Sequence, residues 1–153
     1  MRAGGVGSGR TAVRPLGAFT LLALGLWAGA AMAEGDLTLK ATPLDGLVLG
    51  TGEAGFGVSK TTYDLVTGRA YSLKIKSTGQ KECAWEAPEF ARSIFLRKVE
   101  AGDVEIKAVH LTELEFEKEA EAEIFFVPIR PGRFPWRCRG LEARGMAGAF
   151  VVK

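Results

Sequence analysis

Phe125–Val152, with the sequence FFVPIRPGRFPWRCRGLEARGMAGAFVV, is the most informative stretch of the chain. It contains two strand-like runs around a Pro-Gly turn, then Cys138, a short polar loop, Met146 and a final apolar strand. Before the loop, Phe134, Trp136 and Cys138 share one parity, and arginines occupy positions of the other parity. Successive side chains of a strand point to opposite faces, so the thiol is predicted to point inward. The loop therefore carries a soft sulfur donor at each end.

The rest of the chain predicts further short strands. Tyr71–Ser77 places apolar residues at every second position, and Thr-Gly pairs on both sides supply turns. Residues 94–98 and 104–109 are also strand-like. Residues 111–124 carry glutamate at every second position, which indicates a strand with one charged face, broken near 118–120. Several short strands with regular turns and no convincing long helix predict an all-β fold, a Greek-key β-sandwich.

The first 33 residues have the three parts of a secretory signal peptide. Residues 1–15 carry three arginines and no acid, an apolar run follows over 16–30, and Ala31-Met32-Ala33 has the form of a cleavage site. The apolar run has about 15 residues, fewer than the ~20 of a spanning helix, which disfavours a membrane anchor. We predict a signal peptide at 1–33, one domain at 34–153 without a membrane span, and a periplasmic location.

Charge and motifs exclude several classes of function. The 153 residues have a formal net charge of +2, but removing the first 33 leaves 17 basic and 18 acidic residues. A nearly neutral domain is not expected to bind nucleic acid. The chain has one histidine, His110, with no CxxC pair, no zinc-type spacing and no P-loop. We therefore do not expect an enzyme. In an oxidising compartment, the two cysteines are candidates for pairing.

The end of the chain resembles the C-terminal part of a cupredoxin. The shared pattern is a strand, Pro-Gly, an aromatic residue, Cys, a ligand loop, Gly-Met-x-Gly and a closing apolar strand. Upstream, Tyr71–Ser77 followed by Lys-Glu-Cys-Ala-Trp at 81–85 resembles the strand and loop that supply the family's first histidine ligand. The resemblance implies a cupredoxin-like β-sandwich with a copper ion between these two segments.

The resemblance also implies ligands, and the chain departs from them. By position, Cys138 matches the thiolate ligand and Met146 the axial ligand of a blue-copper site. Leu141 stands where the loop histidine is expected, and Cys83 where the first histidine is expected. With His110 alone, a site of two histidines and one cysteine cannot form within one chain.

Three interpretations of this altered site remain open. In the first, Cys83, Cys138 and Met146 bind copper, as Cu(I) by preference, with His110 as a weaker candidate ligand. In the second, Cys83 and Cys138 form a disulfide that closes a loop of about 55 residues and contributes roughly 3–4 kcal/mol without metal. In the third, the pair is a thiol–disulfide switch.

The first interpretation predicts a periplasmic protein that binds copper for electron transfer or copper handling. The second predicts a metal-free, disulfide-stapled binding domain for a periplasmic protein partner. The interpretations exclude one another at any moment, because a disulfide removes both thiolates.

Overall fold

The structure is a computed structural model that describes residues 4–5 and 40–153. The predicted signal peptide therefore lies outside the described residues, apart from Gly4 and Gly5, as does the beginning of the predicted domain at 34–39. Within the described ranges, no helix is long and apolar enough to cross a membrane.

Residues 40–153 form a β-structure with one short helix and one 3-10 turn. In chain order, the strands and helix are β1 (Thr42–Pro43), β2 (Leu47–Thr51), β3 (Gly57–Val58), β4 (Thr62–Leu65), β5 (Tyr71–Ser77), β6 (Cys83–Glu86), α1 (Pro88–Ala91), β7 (Ile94–Ala101), β8 (Val104–Ile106), β9 (Leu114–Phe116), β10 (Ala120–Pro128), β11 (Gly132–Cys138) and β12 (Ala147–Val152). The 3-10 turn, Glu142–Arg144, lies between β11 and β12.

The strands make two sheets. The first has the order β3-β2-β5-β10-β7-β8, with β1 also paired to β5, and the second has the order β4-β12-β11-β6-β9. From β4 to β7 the chain alternates between the sheets, so strands that follow each other in sequence are mostly not paired. Both sheets are mixed, since β2 runs parallel to β5 and β4 runs parallel to β12. The predicted all-β Greek-key sandwich is confirmed.

The alternation predicted for β5 sets one side of the core. Leu73 and Ile75 are fully buried, whereas Lys74 and Lys76 point outward to the solvent. The glutamates predicted on one strand face lie next to these lysines. Glu121 of the neighbouring β10 is 3.2 Å from Lys74 across the strand pair. The predicted break is confirmed, since β9 and β10 are separate strands. The outward face is thus a set of cross-strand ion pairs in solvent, each of which contributes little to stability.

An aromatic cluster fills the space between the sheets. Phe150 of β12 stacks on Phe90 of α1, with ring centroids 3.9 Å apart, and contacts Tyr63 and Trp85 at 5.6 and 6.5 Å. Phe126 of the opposite sheet meets the ring of Phe90 edge-on at 5.2 Å. These contacts join strands of both sheets to the short helix. Because β6 carries Trp85, the cluster also fixes the strand that presents Cys83.

Tyr63 has an unusual environment within this core. The residue is 2% exposed, and its hydroxyl has no hydrogen-bond partner among the described residues. Burial, with a smaller contribution from the charge of Asp45, raises the pKa of Tyr63 to about 12. Burial disfavours the charged phenolate, which is the direction expected for a desolvated acid. The folded-state pKa therefore lies above the value of about 10 for an unfolded chain.

We expect Tyr63→Phe to abolish the ionisation near pH 12 and to change the free energy of unfolding at pH 7 by less than about 1 kcal/mol. The stability that the neutral phenol supplies is complete below about pH 10 and is lost as the pH rises towards 12. The measurement is absorbance at 295 nm against pH, with urea unfolding in parallel. Tyr71→Phe is the control, because its hydroxyl accepts a hydrogen bond from Val66 N–H at 3.0 Å and its loss should cost about 1 kcal/mol.

Candidate functional site

The two cysteines lie on neighbouring strands of the second sheet. β6 and β11 are antiparallel, with Cys138 opposite Trp85, and the N–H of Arg139 donates to the carbonyl of Ala84 at 3.0 Å. Cys83 is two residues before Trp85, so it has the same parity and faces the same side of the sheet. The pairing register thus brings the two sulfur atoms together from positions 55 residues apart in sequence.

Cys83 and Cys138 form a disulfide, and their Cα atoms are 5.0 Å apart. The residues are 1% and 0% exposed and belong to the main hydrophobic core. Both sulfur atoms are therefore used in a covalent bond and shielded from solvent. In this form neither cysteine can act as a thiolate nucleophile or ligand, because the thiolate is the species that attacks or binds metal.

The backbone of Met146 is hydrogen-bonded to Cys138, one of the two disulfide cysteines. The N–H of Cys138 donates to the carbonyl of Met146 at 2.9 Å, and the residue is fully buried. Between them, the loop folds back on itself: Leu141 N–H donates to Cys138 O at 2.9 Å, and Arg144 N–H donates to Leu141 O at 3.0 Å. Gly145 ends the loop with φ at 97°, a left-handed conformation that favours glycine. The predicted pair of sulfur residues thus converges at the base of one compact loop.

The donor set does not fit a copper ion in this form. Among residues 4–5 and 40–153, no group of three or more His, Cys, Asp or Glu side chains is placed to hold a metal ion. Leu141, at the expected position of the loop histidine, is partly buried and packs against the core. His110 is exposed in the segment that joins β8 to β9. Met146 supplies a thioether, but the two thiolates that would complete a soft site are joined to each other.

Ion pairs surround the outer side of the site. The guanidinium of Arg137 lies 2.7 Å from Glu86, whose side chain is only 12% exposed, and 3.1 Å from Glu142. Arg139 lies 2.6 Å from Glu113. The arginines near the loop are evident in the sequence, but their partners are not, because Glu86 is 51 residues from Arg137. These pairs connect the loop to β6 and to the segment before β9.

Phe56 is a further site residue that sequence patterns do not reveal. It lies in the glycine-rich connection between β2 and β3, and the guanidinium of Arg144 is 4.2 Å from its ring centroid. The ammonium group of Lys81, just before β6, is 5.0 Å from the same ring. The connection therefore packs over the loop that links β11 to β12, held by cation–π contacts. Three loops meet at the end of the sandwich where the disulfide lies.

Comparison with known proteins supports the fold. No family model matches the chain, and no curated protein matches its sequence. Among solved structures, the chain is similar to McoA multicopper oxidase from Aquifex aeolicus, with a TM-score of 0.57 and 13% identity over 74% of this chain and 29% of that one. It is also similar to a multicopper oxidase from Pseudomonas thermotolerans, with a TM-score of 0.56 and 18% identity over 79% and 31% of the two chains.

A third similar structure is a multicopper oxidase from Campylobacter jejuni, a metallo-oxidase, with a TM-score of 0.55 and 11% identity over 77% and 31% of the two chains. The chain spans about a third or less of the length of these oxidases. At these identities the similarity concerns the fold alone. Together with the mixed two-sheet topology, it shows that the chain has a cupredoxin-like fold.

Proposed function

We propose that this chain is a metal-free, disulfide-stapled cupredoxin-like domain that binds a protein partner in the periplasm and has no catalytic role. The observation that carries the proposal is the Cys83–Cys138 disulfide, which uses both sulfur atoms that a copper site would need as thiolates. A disulfide also requires an oxidising compartment to persist, in agreement with the predicted export.

The disulfide can hold β6 and β11 together, as a metal ion bound to both strands would. It connects β6 with β11 where the loop begins, and it is buried, with Cys138 opposite Trp85 and its N–H bonded to the carbonyl of Met146. A cross-link between residues 55 positions apart lowers the conformational entropy of the unfolded chain. This stabilises the folded state by about 4 kcal/mol. The fold can therefore be maintained without an ion, and its surface becomes the functional part.

The test is thermal unfolding of the oxidised protein with and without copper. A ligand that binds only the folded state raises the midpoint by mass action. We expect no shift of the unfolding midpoint at a tenfold excess of Cu(II) or of Cu(I) over protein. A rise of several degrees with either ion, together with one copper per chain after desalting, would contradict a metal-free function.

A second candidate function is copper binding by the reduced protein. Reduction of the disulfide adds two electrons and two protons and yields two thiols beside Met146, a soft donor set that suits Cu(I). The backbone hydrogen bond between Cys138 and Met146 favours this candidate, because it holds the loop ends together. The test is Cu(I) titration after treatment with a phosphine reductant. Stoichiometric binding that is lost in Cys138→Ser would support it, and no binding would exclude it.

A further inference from the structure

Three connections meet at the end of the sandwich opposite the disulfide. They are residues 66–70 between β4 and β5, residues 92–93 between α1 and β7, and residues 129–131 between β10 and β11. The N–H of Gly68 donates to the carbonyl of Pro128 at 2.8 Å, and the N–H of Ile129 donates to the carbonyl of Ser93 at 2.9 Å. Since β11 begins at this end and reaches Cys138 at the other, the length of a strand separates this surface from the disulfide.

This surface carries four exposed arginines. They are Arg69, Arg92, Arg130 and Arg133, and we call the surface that they share the basic end. Among residues 4–5 and 40–153, none of the four forms an ion pair. Arg130 donates to a neutral group, the hydroxyl of Ser93, at 3.0 Å, and its guanidinium lies 5.6 Å from the ring centroid of Phe134. Carboxylates of the described domain therefore do not neutralise these positive charges.

Cations elsewhere on the domain do have acidic partners. Lys74 and Arg137, for example, lie 3.2 and 2.7 Å from carboxylates. The segments that form the basic end contribute few acidic side chains. Asp64 lies 3.9 Å from Lys153, and Glu89 is in α1. Cations outnumber carboxylates in these segments, so the basic end has a positive field.

The same connections carry two exposed aliphatic side chains. Val66, in the first connection, is 44% exposed, and Ile129, in the third, is 59% exposed. The backbone hydrogen bond from Gly68 to Pro128 holds these two connections against each other. Protein interfaces combine an apolar centre with a polar rim, and they are enriched in arginine and depleted of lysine. The basic end has this composition.

The residue types favour a protein with carboxylates over a lipid surface as the occupant. A guanidinium donates two parallel hydrogen bonds to one carboxylate, whereas an ammonium group acts as a point charge. Attraction to anionic lipid depends on the number of charges and is supplied by lysine as well as by arginine. The four cations without a carboxylate partner at the basic end are all arginines, although Lys74 and Lys76 occupy the outer face of β5.

We propose that this chain binds its protein partner through the basic end, and that the partner presents carboxylates around an apolar patch. This inference rests on the proposed binding function and specifies the surface and the chemistry of the partner. The carboxylates pair with Arg69, Arg92 and Arg133, and the apolar patch covers Val66 and Ile129. Charge complementarity of this kind sets the association rate and the choice of partner.

The test is titration of ¹⁵N-labelled oxidised protein with a capped Glu-Leu-Glu-Glu-Leu-Glu-Glu peptide, followed by NMR. We expect saturable shifts of the Gly68 and Ile129 amides, and binding at least about fivefold weaker when glutamine replaces glutamate in the peptide. Arg69→Glu and Arg133→Glu should each weaken binding by about five- to tenfold. Lys118→Glu is the matched control, because it makes the same change of charge between β9 and β10, at the opposite end of the sandwich. Its effect should be below about twofold, since salt screens charges at that distance.

Absence of saturable shifts at these amides up to millimolar peptide would overturn the inference. Equal binding of the two peptides, or equal weakening by Arg69→Glu and Lys118→Glu, would do the same. Binding to phosphatidylglycerol vesicles without binding to the peptide would assign the basic end to a lipid surface and also contradict the inference. The copper content of the same sample separates the two levels of failure. If the oxidised, copper-free protein does not bind the peptide, only the inference about the basic end fails, whereas bound copper contradicts the proposed function.

Discussion

The double substitution Cys83→Ala and Cys138→Ala is expected to lower the free energy of unfolding by about 4 kcal/mol. The two residues are separated by 55 positions, and closing a loop of that length removes much of the conformational entropy of the unfolded chain. For a domain of this size, such a loss lowers the unfolding midpoint by roughly 10–20 °C. Urea unfolding of the two proteins, measured without reductant, gives the comparison.

Wild-type protein provides the internal control for this experiment. Unfolding in the presence of a phosphine reductant should reproduce most of the loss, because the unfolded chain is then reduced and unrestricted. The double variant should not respond to the reductant. A double variant within about 1 kcal/mol of the oxidised wild type would show that the disulfide does not carry the stability assigned to it.

Phe150→Ala is expected to lower the free energy of unfolding by about 3–5 kcal/mol. Phe150 is fully buried and stacks on Phe90 at 3.9 Å, with further contacts to Tyr63, Trp85 and Phe126. Its removal leaves a cavity between the two sheets. It also removes ring contacts, which stabilise the core beyond the effect of the buried apolar area. The same urea titration measures the effect.

Phe95→Ala is the matched control for this substitution. It also replaces phenylalanine by alanine in a strand, but its side chain is 46% exposed. We expect a loss below about 1 kcal/mol. Equal losses for the two variants would mean that Phe150 does not form the centre of the core.

The strands were predictable from the sequence where one face is buried and the other solvated. Tyr71–Ser77 shows this pattern, and so does the stretch before Cys138, whose inward orientation the structure reproduces. The alternation is a local property, because it depends only on the two faces of one strand. The motif of a cysteine, a short loop and a methionine likewise indicated the cupredoxin-like fold.

Other features depend on contacts between distant residues and were not predictable. The irregular register between β7 and β10 places Leu96 and Val99 on the inward side, although three positions separate them. Strict alternation cannot anticipate such a bulge. The end of β8 at Ile106 and the pairing of Glu86 with Arg137 also depend on tertiary packing. The sequence alone left copper binding, disulfide formation and redox switching as alternatives, because each uses the same cysteines.

The most direct test is the intact mass of the native protein, measured without reductant, together with its copper content. A metal-free, disulfide-stapled protein has a mass two hydrogens below that of the fully reduced chain and carries no stoichiometric copper, even when the cells are grown with added copper. A protein that retains the full hydrogen complement and one copper per chain, lost in Cys138→Ser, would contradict the metal-free function proposed for it.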